Sequence, residues 1–585
     1  MYKNKYRTRL SRDINETLVG ETVRLAGFAE NIRDHGGIKF LDLRDFYGTV
    51  QVTFSGDESL LNGVTRECSL SVEGEVILRA PDTVNPKLTS GTVEIKAAKL
   101  DILGKVTETL PFEIADSRKV GEDTRLKYRF LDLRNRKVKN IIVKRSELFA
   151  YARQIMSEGG FLELQTPLLS ASSPEGARDY LIPSRKHKGK FYALPQAPQL
   201  FKQLYMTAGF DNYFQLAPCF RDEDARADRT PGEFYQLDFE MAFATQEDVL
   251  ATAEDTLTKI LQKFSDKPFA APFPRIAYSD AILKYGSDKP DLRNPLILVD
   301  LSDLFVGSGF KPFADKTVRG LRVPNMASQS KSFFKSLEEY ALSIGMGGLG
   351  YVKVEHNDTE EDGKSHYKYN GPIDKFLDNA QREELKTRLS LEIGDVLYFI
   401  ADDEDKANKY GGAMRTEIAG RLKLIDDTRF APLFVIDFPF FEADEDGAPI
   451  FSHNPFSMPQ TTDYSEPLKV KAYQYDCVLD GVELLSGAVR NHDPERMLEL
   501  FKIAGYGEET VKEKFGALYN AFKFGAPPHA GAAFGLDRLL MILLGEENIR
   551  EVIAFPLNGN GQDLLLGAPS DVTELQLRET HIKIR

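Results

Sequence analysis

The chain has 585 residues, of which 42% are hydrophobic, 28% charged and 11% aromatic, and its net charge is −14. These values predict a globular protein of several domains and exclude disordered and fibrous proteins. The acidic balance allows nucleic-acid binding only through a local basic face. Three scattered cysteines suit neither a disulfide framework nor a zinc site, and no apolar run reaches the roughly 18 residues of a membrane span or resembles a secretory signal. We therefore expect a soluble protein of a reducing cytoplasm.

Residues from about 20 to 105 are expected to form a small β-barrel. Five short segments alternate polar and apolar residues, and turns that contain Gly and Asp separate them. This number of strands is typical of the OB-fold, a barrel known for holding oligonucleotides. On strand count alone, a small barrel without that role is an equal alternative.

Beyond the barrel, the pattern changes to mixed helices and strands. Residues 137–159 have apolar residues at helical spacing and end at a Gly pair, as expected for a long helix. A segment dense in Asp, Pro and Gly follows residue 285, and residues 288–422 then read as a separate α/β unit with Gly-rich connections. The earlier pattern resumes at about residue 423. We infer one domain that is interrupted by an inserted domain.

The most highly charged segment runs from Cys219 to Arg229, where seven of eleven residues carry a charge. A solvated hairpin loop is the usual meaning of such a run. Here, however, a predicted strand ends at Arg221 and a return strand begins near Phe234. An Arg in this place can grip a phosphate through two hydrogen bonds, and a facing Phe can stack on a base.

Two further segments contain residue types that suit a nucleotide site. Residues 529–535 are mostly small and precede a helix that Arg538 opens, an arrangement that allows close approach of a ligand. Asp476 and Glu483 lie on two strand-like segments joined by a turn at 480–481, and such a pair of carboxylates suits Mg²⁺. An ordinary helix start and a hairpin with two unrelated acids are the alternatives. GxGxxG and Walker patterns are absent near the predicted strand–helix junctions, which disfavours a Rossmann or P-loop nucleotide site.

Taken in chain order, these segments resemble the motifs of the class II aminoacyl-tRNA synthetases. Residues 161–167 (FLELQTP), 219–223 (CFRDE) and 535–538 (GLDR) are similar to the first, second and third motifs of that family. Residues 173–180 (SPEGARDY), 196–202 (QAPQLFK) and 286–291 (GSDKPD) are very close to segments of the bacterial-type aspartyl-tRNA synthetases. The resemblance covers essentially the whole chain.

The resemblance implies a multidomain α+β protein that forms a homodimer. Its N-terminal part is an OB-fold β-barrel, its catalytic domain contains an antiparallel sheet, and an inserted α/β domain interrupts that catalytic domain. The implied limits are 1–108 for the anticodon-binding barrel, 109–136 for a linker, 137–287 and 423–565 for the two parts of the catalytic domain, 288–422 for the insertion and 566–585 for a C-terminal extension.

The same resemblance implies a ligase that activates L-aspartate with ATP and then aminoacylates tRNA. Arg490 and Lys202 match the residues that hold the side-chain carboxylate of aspartate. Arg490 can bind it bidentately, and an asparagine amide would leave that buried charge unpaired. The other implied aspartate contacts are Glu175, Gln199, Asp238 and His453. For His453, a structural role is the alternative.

The implied ATP site works by charge rather than by a nucleophilic side chain. Arg221 matches the residue on the α-phosphate, Phe234 the ring that stacks on adenine, and Arg538 the contact to the γ-phosphate. Asp476 and Glu483 match the ligands of Mg²⁺. The remaining implied ATP contacts are Asp222, Glu223, Glu483, Gly535, Leu536 and Asp537. Arg221, Glu483 and Arg538 are the implied catalytic residues, because positioning and charge neutralisation supply the rate.

In the barrel, Arg33, Phe40 and Gln51 match the anticodon contacts of the family. Alternation with Leu41 places Phe40 on the polar face of its strand, where a ring can stack on a base. His35 stands where many strictly aspartate-specific bacterial members have Leu, and it resembles members that also charge tRNA(Asn) before an amidotransferase acts. We therefore hypothesise a non-discriminating enzyme for tRNA(Asp) and tRNA(Asn). A turn histidine in a strictly discriminating enzyme is the alternative.

Three other functions compete with this interpretation. An asparagine- or lysine-specific relative would share the architecture, but two cations in one pocket favour an acidic substrate. A non-catalytic RNA-binding relative would be expected to have lost Arg221, Glu483 or Arg538, and all three are present. A multidomain binding protein of another kind would leave the co-occurrence of three motifs unexplained.

Overall fold

The computed structural model describes residues 3–34, 38–55, 57–86, 88, 90–172, 177–223, 232–308, 310–356 and 367–584. The chain divides into two compact units, Met1–Glu113 and Ile114–Arg585. Among the described residues, no helix combines the length and the apolar composition that a membrane span requires.

The first unit is the predicted five-stranded barrel. Its strands pair in the closed order β1-β2-β3-β5-β4, and its interior is filled by apolar residues such as Leu41, Val50 and Val52. These residues alternate with polar ones because successive side chains of a strand point to opposite faces. The strands are β1 (Thr22–Asp34), β2 (Lys39–Arg44), β3 (Thr49–Phe54), β4 (Ser69–Leu78) and β5 (Val93–Gly104).

The second unit combines helices with two larger sheets and two small hairpins. Its described strands are β6 (Leu162–Glu163), β7 (Leu181–Pro183), β8 (Phe191–Ala193), β9 (Asn212–Phe220), β10 (Glu233–Ala242), β11 (Arg275–Ala277), β12 (Leu298–Asp300), β13 (Thr317–Val323), β14 (Gly350–His356), β15 (Tyr367–Asn370), β16 (Val396–Asp402), β17 (Pro432–Ile436), β18 (Phe441–Ala443), β19 (Pro449–Phe451), β20 (Gln474–Leu479), β21 (Val482–Val489) and β22 (His529–Gly535). Its described α-helices are α1 (Glu122–Lys127), α2 (Arg129–Asp132), α3 (Arg136–Glu158), α4 (Gln199–Thr207), α5 (Gln246–Phe264), α6 (Tyr278–Tyr285), α7 (Lys331–Ser343), α8 (Asn379–Leu389), α9 (Glu404–Leu422), α10 (Pro494–Ile503), α11 (Glu508–Phe522), α12 (Leu536–Leu544) and α13 (Glu574–Glu579).

The larger sheet has eight strands in the order β11-β17-β20-β21-β22-β10-β9-β6. Its central strands pair antiparallel, and only the pairs at its two ends, β11 with β17 and β6 with β9, are parallel. Helices α3, α5 and α12 bury apolar residues against it, including Leu148, Leu257 and Leu539. The long helix expected over 137–159 is therefore confirmed, with its start at an Asn135 cap whose side chain accepts from the Lys137 amide.

The second sheet, in the order β12-β13-β16-β14-β15, lies in the sequence between α6 and β17. Helices α7, α8 and α9 belong to the same stretch of chain, so the expected mixture of helices and strands is confirmed. All of its strand pairs are antiparallel, which makes this part α+β rather than a parallel α/β arrangement. The exact domain limits given above stay predictions.

Candidate active site

Four charged side chains meet at the centre of the eight-stranded sheet. Asp238 and Glu240 lie two residues apart on β10 and therefore share a face. The Lys202 Nζ from α4 lies 2.6 Å from Asp238 Oδ1 and 3.2 Å from Glu240 Oε2. Arg490, directly after β21, donates from Nε and Nη2 to the Glu240 carboxylate at 2.8 and 3.1 Å. All four are buried, so two cations and two anions balance one another in the protein interior.

Glu240 was not among the residues expected from the sequence. Its signal was present, because Asp238 and Glu240 alternate with apolar neighbours on one strand. The small residue Gly531 also serves Glu240: a Cβ at position 531 would lie 2.1 Å from Glu240 Oε2 and 2.2 Å from the Phe239 carbonyl oxygen. The small residues before Arg538 were expected to admit a ligand, whereas at Gly531 the absent side chain leaves room for a buried carboxylate.

The hydrogen bonds of the Arg490 guanidinium differ in one respect from those expected. The predicted bidentate grip on aspartate would use two donors, but Nε and Nη2 already hold Glu240, and Nη2 also donates to the Gly531 carbonyl at 3.2 Å. Within the described residues, Nη1 makes no hydrogen bond. A ligand carboxylate would therefore be met by Nη1, with Glu240 fixing the plane of the guanidinium.

Several buried polar atoms of this cluster have no hydrogen-bond partner in the described part of the chain. They include Asp238 Oδ2 and Gln199 Nε2. Because an unpaired buried polar atom is costly, such atoms indicate groups that a ligand completes. Burial raises the pKa of Asp238 despite Lys202. At Glu240 burial acts in the same sense, but Arg490 and Lys202 outweigh it and lower the pKa to about 2.

Arg221 and Phe234 lie side by side at the ends of β9 and β10. Phe234 pairs with Cys219 across the two strands, and the Arg221 guanidinium lies 5.1 Å from the centre of the Phe234 ring. Arg221 Nε is buried and has no hydrogen-bond partner among the described residues. Both side chains line a cavity of about 230 Å³ together with Glu483, Gly535 and Arg538. The structure thus brings most of the predicted ATP residues into one cavity.

A second cavity, of about 620 Å³, shares Arg221 and Ser486 with the first. Glu223 and His453 also line it. His453 is an exposed residue, and its Nδ1 lies 2.8 Å from Ser452 Oγ. Desolvation by the surrounding protein nevertheless lowers the pKa of the imidazole, which favours its neutral form. Two cavities that share an arginine could hold two reactants, with the arginine next to a phosphate group that is transferred from one to the other. Unlike Arg221 and Glu223, the predicted ATP contact Asp222 is exposed and is not among the residues that line either cavity.

The two predicted metal ligands lie on the hairpin of β20 and β21. Its turn is confirmed, with positive φ values of 55° at Asp480 and 82° at Gly481, as in a tight hairpin loop. A bulge after Cys477 places Asp476 opposite Ser486. Asp476 Oδ1 is buried without a partner in the described residues, and burial together with the charge of Glu483 raises the pKa of Asp476.

The surroundings of this acid pair fit a magnesium ion that arrives with phosphate. The described residues contain no group of three or more acidic, histidine or cysteine side chains placed to hold a metal. Mg²⁺ commonly takes only one or two carboxylates from the protein and completes its shell with phosphate and water. Asp476 and Glu483 meet that requirement, and Arg538 Nη1 donates to the Glu483 backbone carbonyl at 3.0 Å beside them.

Two of the predicted ATP residues also anchor α12. The Leu536 side chain is buried in the hydrophobic core behind the sheet. Asp537 lines the smaller cavity, and its carboxylate is held within the protein: Oδ2 accepts from the Tyr235 amide at 2.8 Å, and Oδ1 pairs with Arg145 of α3. Local sequence could not indicate this, since Arg145 lies 392 residues away along the chain.

In the barrel, the three predicted anticodon residues form one patch. Arg33 of β1 lies opposite Phe40 of β2, and Gln51 of β3 lies opposite Asp42 of β2. Arg33 Nη2 donates to Asp42 Oδ1 at 2.7 Å and to Gln51 Oε1 at 3.2 Å. The face is polar as expected, but Asp42 is itself buried by these contacts rather than solvated. The predicted residues His35 and Glu175 lie outside the described residues.

Comparison with known proteins identifies two family models along the chain. The model described as "tRNA synthetases class II (D, K and N)" matches residues 121–559. The model described as "OB-fold nucleic acid binding domain" matches residues 23–103. These ranges correspond to the two units that carry the cavities and the barrel patch.

Curated relatives align over nearly their full length. "Aspartate–tRNA ligase" of Streptomyces coelicolor is 49% identical, with 100% of this chain and 99% of the relative covered. "Aspartate–tRNA(Asp/Asn) ligase" of Rickettsia canadensis is 48% identical, with 99% and 98% covered.

Among solved structures, asparaginyl-tRNA synthetase from Pyrococcus horikoshii with asparaginyl-adenylate has a TM-score of 0.58 at 20% identity, covering 94% of this chain and 97% of that one. At this identity the likeness concerns the fold alone. The family model and the full-length relatives go further: the chain belongs to the class II tRNA synthetases of the D, K and N group.

Proposed function

We propose that this chain is an aspartate–tRNA ligase. It would join L-aspartate to ATP, forming aspartyl-adenylate and pyrophosphate, and then transfer the aspartyl group to the terminal ribose of tRNA(Asp). The observation that carries the proposal is the buried cluster of Lys202, Arg490, Asp238 and Glu240, in the same unit as the two cavities that share Arg221.

The cluster suits a small amino acid with a second carboxylate. Arg490, whose hydrogen bonds to the described residues use Nε and Nη2, and the ammonium of Lys202 attract the side-chain carboxylate, while Asp238 Oδ2 can accept from the substrate ammonium. Neutral asparagine brings no charge to Arg490 and offers an NH₂ group to a donor, so it is disfavoured. A lysine side chain would bring a further cation to Lys202 and Arg490.

The activation step needs positioning and charge neutralisation. The α-carboxylate oxygen of aspartate attacks the α-phosphorus, a new P–O bond forms, and the bond to the pyrophosphate oxygen breaks. Arg221 neutralises the α-phosphate, Phe234 stacks on adenine, and Arg538 holds the distal phosphate. Asp476 and Glu483 would hold Mg²⁺, which supplies further neutralisation of the phosphates when bound.

The step is tested by pyrophosphate exchange with each of the twenty amino acids. The expected result is exchange with L-aspartate alone, and exchange with another amino acid instead would contradict the proposal. Arg221→Ala should abolish the aspartate-dependent exchange while the melting temperature stays close to that of the wild type. Near-normal exchange by this variant would remove Arg221 from the proposed role.

The barrel is proposed to bind the anticodon through Arg33, Phe40 and Gln51. An aromatic ring between polar hydrogen-bonding groups is the usual means of holding an unpaired base. Because His35 stands where many strictly aspartate-specific relatives have Leu, the enzyme is proposed to charge tRNA(Asn) as well as tRNA(Asp), and an amidotransferase would then convert the aspartyl-tRNA(Asn). Aspartylation of the two purified transcripts tests this, and negligible charging of tRNA(Asn) would establish the strictly discriminating alternative.

A homodimer is proposed through the segment of the first motif. Leu162, Leu168 and Leu169 expose 55%, 44% and 56% of their surface around Pro167. Adjacent exposed apolar residues are typical of a subunit interface. Sedimentation of the full chain should give twice the monomer mass, and a monomer at micromolar concentration would contradict the assembly.

A further inference from the structure

A lysine lies against the two predicted metal ligands. Lys289 follows α6 in the segment that leads to β12, and its Nζ lies 3.3 Å from Glu483 Oε2 and 2.5 Å from Asp288 Oδ2. One ammonium group thus pairs with two carboxylates, and one of them is the predicted metal ligand Glu483.

The position of Lys289 is built into the fold rather than left to a loose loop. Arg293 donates from Nε and Nη2 to Asp291 at 3.0 and 2.9 Å, and its Nη1 lies 3.3 Å from Asp480 Oδ2 at the hairpin tip. From α9, Arg415 Nη2 donates to the Asp291 backbone carbonyl at 2.8 Å. The segment that carries Lys289 is thus tied both to α9 and to the hairpin of the acid pair.

A carboxylate oxygen of Glu483 that pairs with the Lys289 ammonium is less available to coordinate a metal ion. Lys289 pairs with Glu483 Oε2, whereas Asp476 Oδ1 is buried and has no hydrogen-bond partner among the described residues. A dication that approaches without phosphate meets the charge of Lys289 and of Arg538, which lies 3.8 Å from Glu483 Oε1. ATP brings four negative charges and changes this balance.

We propose that Lys289 is a positioning residue that pairs with Glu483 in the free enzyme and keeps divalent cations away from the acid pair until ATP arrives. Release of the Lys289 ammonium from Glu483 would then leave that carboxylate available to a metal bound to the phosphates of ATP. This inference rests on the proposed function, because it assumes that the acid pair holds the metal of ATP.

Binding of Mn²⁺ alone, without ATP, tests the inference through the paramagnetic resonance signal of the free ion. Lys289→Met should bind Mn²⁺ at least about tenfold more tightly than the wild type, since a unit charge a few ångströms away is removed. Lys289→Arg keeps the charge and should behave as the wild type. Lys259→Met, which breaks an exposed pair with Asp255, is the matched control.

A second readout uses thermal melting. Mg²⁺ without ATP should raise the melting temperature of Lys289→Met more than that of the wild type, because the metal replaces the lost cation. Equal Mn²⁺ affinity of the wild type and Lys289→Met would overturn the inference, and Lys289→Gln provides the same comparison if the Met variant does not fold. Aspartate-dependent pyrophosphate exchange by the wild type tests the proposed function separately. The inference about Lys289 can therefore fail while the proposed function stands, and the reverse.

Discussion

The strongest quantitative prediction concerns Glu240, the carboxylate that holds Arg490 in place. Glu240→Gln keeps the shape of the side chain but removes its charge, so Arg490 and Lys202 are left with Asp238 as their acidic partner in the cluster. The lowering of the Glu240 pKa from 4.5 to about 2 corresponds to about 3 kcal/mol of stabilisation. This value agrees with the loss of about 3–5 kcal/mol in the free energy of unfolding that generally follows removal of one partner of a buried ion pair.

This loss should lower the melting temperature by about 6–12 °C, since 1 kcal/mol corresponds to roughly 2–4 °C in a domain of 150–250 residues. The assay is thermal melting followed by circular dichroism, with and without L-aspartate. Added L-aspartate should stabilise Glu240→Gln more than the wild type, because its side-chain carboxylate restores the missing negative charge beside Arg490 and Lys202. L-Asparagine should not have this effect.

Glu247→Gln is the matched control, because Glu247 pairs with Arg275 on the surface and its side chain is 62% exposed. Exposed pairs of this kind contribute about 0–1 kcal/mol. If Glu240→Gln melts as high as Glu247→Gln, the buried pairing does not carry the stability assigned to it. If L-asparagine protects Glu240→Gln as well as L-aspartate does, the assignment of the cluster to an acidic substrate is wrong.

Three further predictions follow from the same geometry. The pKa of Glu240 is lower in the folded state than in the unfolded chain, so the stability that this carboxylate contributes is complete above pH 4.5 and is lost as the pH falls toward 2. In this pH window the free energy of unfolding in urea should therefore depend more steeply on pH for the wild type than for Glu240→Gln. Gly531→Ala should melt well below Gly535→Ala, since its Cβ would lie 2.1 Å from Glu240 Oε2 while the nearest atom at 535 is 3.7 Å away; equal melting would contradict the close packing. Phe40→Ala should reduce kcat/KM for tRNA charging by roughly 10- to 100-fold, the value of one base stack, and leave pyrophosphate exchange unchanged; a parallel loss of both would refute a role confined to the anticodon.

Local patterns accounted for the barrel, the long helix α3 and the tight turn at Asp480 and Gly481. Each depends on interactions among near neighbours in the chain, namely strand alternation, helical spacing and a residue pair that accepts positive φ. The motifs likewise drew attention to Arg221, Phe234 and Arg538, which lie near strand or helix ends and line one cavity.

The partners of the buried charges could not be deduced in that way. Glu240 and Arg490 lie 250 residues apart, and the strand order β21-β22-β10 is what brings them together across the sheet. For the same reason, the sequence did not indicate that Asp537, which lines the smaller cavity, is held by Arg145 and the Tyr235 amide. A sequence motif specifies the residue type, whereas sheet register decides which charge it faces.

The amino-acid sequence alone therefore determined the family, the elements and the kinds of chemical group at the site. Only the tertiary structure decided which of those groups remain available to a ligand: Arg490 is committed to Glu240 on one edge, and Lys289 stands against Glu483. The physical reason is that burial makes every unpaired charge costly, so long-range pairing settles the charge balance of the site, and that pairing is set by packing rather than by neighbours in the chain.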